Sequence, residues 1–122
     1  MFELAKIAFT DVARLARSGK ALTILPVGGV EEHGAHLPLG LDSFAAEVYS
    51  AAATPHLEAQ GYEVVVAPTI SYGVARTAID FPGTLSLEPD TLRSMVVEIG
   101  RSLARHGLNR LVILNGHRDL HH

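Results

Sequence analysis

Two periodicities share this chain. Continuous apolar runs of strand length occupy residues 21–27 (ALTILPV), 63–68 (EVVVAP) and 110–114 (RLVIL). Such runs suit strands buried on both faces, as in a parallel sheet. Helical spacing fills the stretches between them. Residues 10–17 predict a short helix, capped by Thr10 or Asp11, with Val12 and Leu15 on its apolar side and Gly19 as its stop. A second helix starts at Asp42 or Ser43 and carries Phe44, Val48, Ala51 and Ala52 on one side. Pro55 should interrupt it, with Thr54 capping a short continuation that closes at Gly61. The clearest helix spans residues 88–106, where Leu92, Val96, Ile99 and Leu103 recur at three- and four-residue spacing before Gly107. Strands alternating with helices predict an α/β fold. Right-handed crossovers would put helices on both faces of a mostly parallel, three-stranded sheet, a three-layer α/β/α arrangement.

Two polar clusters fall just beyond strand ends, where ligands bind in sheets of this kind: residues 31–42 after the first run and 115–122 after the third. Residues 69–86 form a long irregular excursion with turn residues Gly73, Pro82 and Gly83. Stretches of this length inside compact domains usually serve a function.

Composition narrows the picture. The 122 residues suit one domain, and 48% apolar against 19% charged residues is a core-building mixture. A net charge of -3 gives phosphates no electrostatic footprint, which argues against nucleic acid as a partner. The absence of cysteine excludes disulfides, thiolate metal sites and a cysteine nucleophile. No apolar run approaches the roughly 20 residues of a membrane span, and the N-terminus lacks the marks of a signal peptide. The expectation is a cytoplasmic protein with no membrane partner.

The candidate chemistry lies in the two clusters. Glu31 and His33 are two apart, so in extended backbone they project to the same side. Asp42 follows a loop that Gly34, Pro38 and Gly40 allow to fold back, and a carboxylate can bridge two cations. His117 enters from the neighbouring strand end, and Asp119, two residues on, offers another carboxylate. Glu31, His33, Asp42, His117 and Asp119 have the ligand types of a two-metal hydrolytic site. Mixed imidazole and carboxylate favours zinc, manganese or iron over calcium or magnesium. Such a pair can polarise a carbonyl and hold a bridging hydroxide as nucleophile, chemistry that breaks amide bonds. The other histidines invite plainer readings. His56 belongs to a helix surface, His106 suits a helix C-terminus, and His121 and His122 read as a frayed tail or the remnant of a tag. Glu32 should point away from Glu31 into solvent.

The stretch LPVGGVEEHGAHLPLGLD closely resembles the signature of the creatininase (creatinine amidohydrolase) family. FPGTLSL, before the long helix, and LVILNGH, at the third strand, match in order and spacing. The resemblance implies that Glu31, Asp42 and His117 hold one metal and that His33 and the shared Asp42 hold a second. Asp119 stands where creatininase itself has a glutamate ligand of the second metal, and His36 matches a supporting histidine. It further implies hydrolysis of non-peptide C–N bonds in small amides, cyclic ones notably, and a homo-oligomer, commonly a hexamer.

The chain also departs from the family pattern. Family chains are about twice this long, so residues 1–122 are expected to be the N-terminal half of the family domain. Residues 74–79 lack the Glu-His pair that many members carry before F-P-G-T; Arg76, Thr77 and Ala78 stand there. RDLHH after His117 replaces the usual continuation. Two functions are therefore weighed: a metal-dependent amidohydrolase, and a catalytically inactive fragment that binds metal and self-associates.

Overall fold

The computed structural model describes residues 1–120 and 122. Four strands, β1 (Phe2–Glu3), β2 (Ala21–Val27), β3 (Glu63–Val66) and β4 (Leu111–Asn115), lie in the order β1-β3-β2-β4 with every pairing parallel. Three helices connect them: α1 (Phe9–Ser18), α2 (Leu41–Ala59) and α3 (Pro89–Arg105). β2 is central, and all seven of its residues are buried, as its unbroken apolar run predicts. Its alternate side chains feed two layers. Ala21, with Val65 of β3, packs under Leu15 of α1 and Leu103 of α3, while Leu25 and Val27 meet Leu92 of α3. On the opposite face Leu22, Ile24 and Val64 meet Leu57 and Tyr62 at the far end of α2. The α/β/α sandwich around a parallel sheet is thus the observed architecture.

Three expectations need correction. The sheet has four strands, because Phe2 and Glu3 pair with Val65 and Val66 along the outer side of β3. Two residues are too few to leave a periodic signal. Second, α2 runs unbroken through Pro55. A proline inside a helix costs about 3 kcal/mol, and the cost is met locally by packing. Thr54 and Ser50 are buried, their hydroxyls donating to the carbonyls of Ser50 and Ala46 at 2.9 and 2.7 Å. The carbonyl of Ala51, which loses its partner to Pro55, belongs to an exposed residue that water can reach.

Third, α2 sits the other way round from its hydrophobic pattern. Phe44 and Val48 are 54% and 63% exposed, whereas Asp42, Ser43, Ala46, Ser50 and Thr54 are buried against the sheet. Small side chains at four-residue spacing let the helix axis come close to the strands. Large ones would hold it off. The smaller shifts lie at the ends of elements: α1 starts at Phe9, with the Asp11 carboxylate accepting the Ala8 N–H at 3.2 Å.

The 69–86 excursion contains no full strand. It is tied down by single bridges, Val27 to Ile70, Val30 to Leu85 and Gly73 to Ser86, so it folds over the carboxyl ends of β2 and β4. Among the described residues no strand pairs with the outer side of β4, and its Val112 and Ile113 are 45% and 51% exposed.

Candidate metal centre

Both strand ends deliver their polar residues to one point. After Gly28 and Gly29, the chain from Val30 to His33 is pinned on both sides. The Glu31 N–H donates to the Leu39 carbonyl at 3.0 Å, the Leu85 N–H to the Val30 carbonyl at 2.9 Å, and the Glu32 N–H to Thr84 Oγ1 at 3.2 Å. The Glu32 side chain turns away and accepts the Gly34 N–H at 2.9 Å. From β4, the Gly116 N–H extends the pairing to the Val27 carbonyl at 2.8 Å. The Asn115 side chain accepts the His117 N–H at 3.0 Å, turning the chain so that the His117 imidazole points inward. Asp42 lies in the first turn of α2, where unpaired N–H groups favour a carboxylate.

Asp42 divides its oxygens between two imidazoles. Oδ1 is 3.0 Å from His33 Nε2 and Oδ2 is 2.6 Å from His117 Nδ1. Glu31 Oε1 closes the ring at 3.2 Å from His117 Nδ1 and 3.9 Å from His33 Nε2. Glu31, Asp42 and His117 offer ligand atoms that all lie within 4.8 Å of one another, and His33 borders the group through Asp42.

The outer ring nitrogens decide the tautomers. His117 Nε2 meets the Val74 carbonyl at 2.7 Å, and His33 Nδ1 meets the Glu31 carbonyl at 3.0 Å. A carbonyl only accepts, so both of these nitrogens carry a proton. The inner nitrogens of the neutral rings then aim lone pairs at carboxylate oxygens. That arrangement calls for positive charge between them, a second proton or a metal ion. A backbone carbonyl that orients each imidazole from behind is what metal-binding histidines usually have. The donor set thus fits a divalent cation.

Burial pushes the Glu31 carboxyl above its usual range. The neighbouring His117 opposes this, and the charges of Asp42 and Asp119 add to it. Asp119 itself is turned to the excursion, where its Oδ2 accepts from the Thr77 N–H at 3.2 Å and the Thr77 hydroxyl at 2.8 Å. It stands close enough to act on Glu31 electrostatically but lies outside the three-residue group. His36 is exposed on the loop.

His122 departs from the reading of it as a frayed tail. Its Nδ1 accepts the Val74 N–H at 3.2 Å, and its ring stands edge-on to His117 with centroids 4.5 Å apart. Burial, and then the neighbouring His117, hold its imidazole below the usual range. His121 lies outside the described residues. Sequence reasoning also missed Asn115, Thr77, Thr84 and the Val74 carbonyl as partners of the cluster. Only the length of the excursion hinted at the last three.

A carboxylate–imidazole cluster at the carboxyl ends of adjacent parallel strands defines an α/β protein with a candidate metal centre. Residues 5–122 match the Creatininase family, described as creatinine amidohydrolase. The chain is 38% identical over 112 residues to the creatinine amidohydrolase of Pseudomonas putida, covering 88% of this chain and 41% of that protein. It is 35% identical over 109 residues to the mycofactocin precursor peptide peptidase of Mycolicibacterium smegmatis, covering 88% of this chain and 44% of that one. A solved creatinine amidohydrolase (creatininase) superposes with a TM-score of 0.81 at 32% identity, covering 94% of this chain and 44% of its own. The chain belongs to the creatininase family. It spans a little under half the length of the relatives it matches.

Proposed function

We propose that residues 1–122 are one unit, the N-terminal half of a metal-dependent amidohydrolase of the creatininase type. Its substrate would be a small amide, hydrolysed at a non-peptide C–N bond, with cyclic amides such as creatinine the first candidates. The observation that carries this reading is the division of the Asp42 oxygens between His33 and His117. A carboxylate so placed can bridge two cations about 3.5–4 Å apart. Zinc and manganese suit the donors best, with iron next. Solved relatives described as "Creatininase Mn" and as a Zn-Zn type support that choice. Two such ions would supply a water nucleophile active near neutral pH and would polarise the amide carbonyl.

The rest is work for the chain's own side chains. Glu31, Asp42 and His117 would hold one ion, and His33 with Asp42 would hold the second. The carbonyls of Val74 and Glu31 keep the ring protons on the outer nitrogens. We assign Asp119 to the second ion or to proton transfer. Relatives named as a precursor-peptide peptidase make a peptide amide the alternative substrate. Among the described residues no helix is long and apolar enough to cross a membrane.

The test is metal content together with turnover of creatinine and simple cyclic amides in manganese or zinc. Bound metal with chelator-sensitive turnover is expected. Metal binding without turnover would favour the inactive-fragment reading, and no metal binding would end both.

The 122-residue chain is also expected to self-associate. Phe44, Val48 and Tyr49 on α2 and Val112 and Ile113 on the open side of β4 are exposed, and unpaired strand edges invite pairing. Light scattering should show an oligomer. A monodisperse monomer over a wide concentration range would count against it.

A further inference from the structure

We propose that Gly28 and Gly116 are positioning residues for Asp42. By lacking a Cβ they let the first turns of α2 settle onto the ends of β2 and β4, and so set the separation between the Asp42 carboxylate and the imidazoles. The proposal rests on the metal-centre reading above.

Neither glycine is needed for its backbone conformation. The glycines with positive φ are Gly19, Gly34, Gly61, Gly83 and Gly107. Alanine would be at ease at positions 28 and 116 but for the helix above them. A Cβ built on Gly116 would lie closer than 3.0 Å to the carbonyl oxygen of Asp42 and at 3.0 Å from the Cβ of Ala46. One built on Gly28 would lie 2.5 Å from Ser43 Oγ and 2.6 Å from both the Cα and the N of Ser43. Real Cβ atoms essentially never approach other atoms so closely. The opposing atoms are mostly main chain, so no side-chain rotation relieves the contact.

The two glycines come from neighbouring strands and grip the same turn, residues 42–46. The small inward stripe of Ser43, Ala46, Ser50 and Thr54 completes the fit. The far end of α2 is held separately, where Leu57 packs on Leu22, Ile24 and Val64. An alanine at 116 would therefore tilt the N-terminal end of α2 outward by roughly 1 Å to regain ordinary contact. Metal–ligand distances tolerate only about 0.2 Å. Asp42 would then no longer reach the ligands that β2 and β4 present, although the sheet and both apolar layers would remain.

The test uses the 122-residue chain and Co2+ alone, whose visible spectrum reports coordination. G116A is expected to keep the parent's far-UV circular dichroism and cooperative melting and to bind Co2+ at least 100-fold more weakly. Asp42→Glu should weaken binding in the parent. In the G116A background its extra methylene should span the gap and restore at least tenfold. G100A is the control, since a Cβ there meets only Leu111 Cδ2, at 3.4 Å, and it should bind as the parent does. A folded G116A chain that binds Co2+ within threefold of the parent overturns the proposal, and so does a loss that Asp42→Glu fails to recover. If G116A does not fold, G28A carries the same comparison. If neither folds, the glycines serve the core alone and the proposal falls. Should the parent itself bind no Co2+, the metal-centre reading fails separately, and the metal-free imidazole 15N signals of His117 decide the positioning. Their displacement in G116A at fixed pH supports it, and unchanged signals overturn it.

Discussion

Replacing Asp42 with alanine should strip the chain of metal and take any hydrolytic activity with it. Its oxygens lie within hydrogen-bond distance of both imidazoles, 3.0 Å from His33 Nε2 and 2.6 Å from His117 Nδ1, whereas Glu31 comes that near to His117 and stays 3.9 Å from His33 Nε2. Removing it separates the two halves of the site. It also takes away one of the two carboxylates within 4 Å of those rings and leaves Glu31 to balance the ions alone. Loss of an outer partner of a metal ligand typically costs 10–100-fold in affinity, and loss of a shared ligand should exceed that, at least ~100-fold for either ion. Asp42→Asn separates charge from shape. It keeps one oxygen acceptor but presents an N–H2 to an imidazole, so it should bind one ion weakly at best. The fold should survive both changes, because the apolar clusters that hold the sheet between its helices do not include position 42. Elemental analysis of the purified variants, beside circular dichroism, checks this. Metal content equal to the parent's in D42A would remove Asp42 from the site and undo the reading built on it.

Why Asp42 reaches the site is the part of the molecule least legible in its sequence. The strands were open to inspection: residues 21–27 form an apolar run because both faces of β2 are covered, and residues 111–114 carry a similar run although Val112 and Ile113 are exposed. α3 showed its buried side at Leu92 and Leu103 because that side carries large apolar residues. α2 breaks the rule. Phe44, Val48 and Tyr49 face outward and its buried stripe is Asp42, Ser43, Ala46, Ser50 and Thr54, which a hydrophobicity pattern scores as a solvent face. What decides its orientation is distance from the sheet, set by glycines 14 residues before and 74 residues after Asp42. That information is tertiary and leaves no local period. The ligand types were easier to read, since Glu31, His33 and Asp42 share one loop and its flanks, and His117 follows a strand predicted to lie alongside. Their supports were harder. Val74 contributes its backbone, Thr84 and Thr77 act across the sheet end, and no local pattern brings His122 onto His117.

Glu31 ties the centre to the stability of the fold, and its behaviour with pH is the second large effect to expect. Burial holds its carboxyl above the ordinary value of 4.5, so the metal-free fold binds that proton more tightly than the unfolded chain does. The sign follows from linkage: the protonated group favours the fold below the unfolded value, and that contribution is lost as pH rises from about 4.5 through the folded value. Without metal, the chain should therefore pay for an ionised Glu31 at neutral pH. Glu31→Gln keeps the shape and removes the charge. The metal-free variant should melt above the parent at pH 7, with the difference vanishing toward pH 4. Adding zinc or manganese should reverse the order. The parent exchanges its proton for a cation and gains stability with metal concentration, by the usual mass action. The glutamine variant, a poor ligand, gains little. Melting curves of both proteins between pH 4 and pH 7, with and without metal, decide the matter. If metal raised the two melting temperatures equally, Glu31 would not be a ligand. If the metal-free pair ran parallel across that pH range, burial would not be holding its proton.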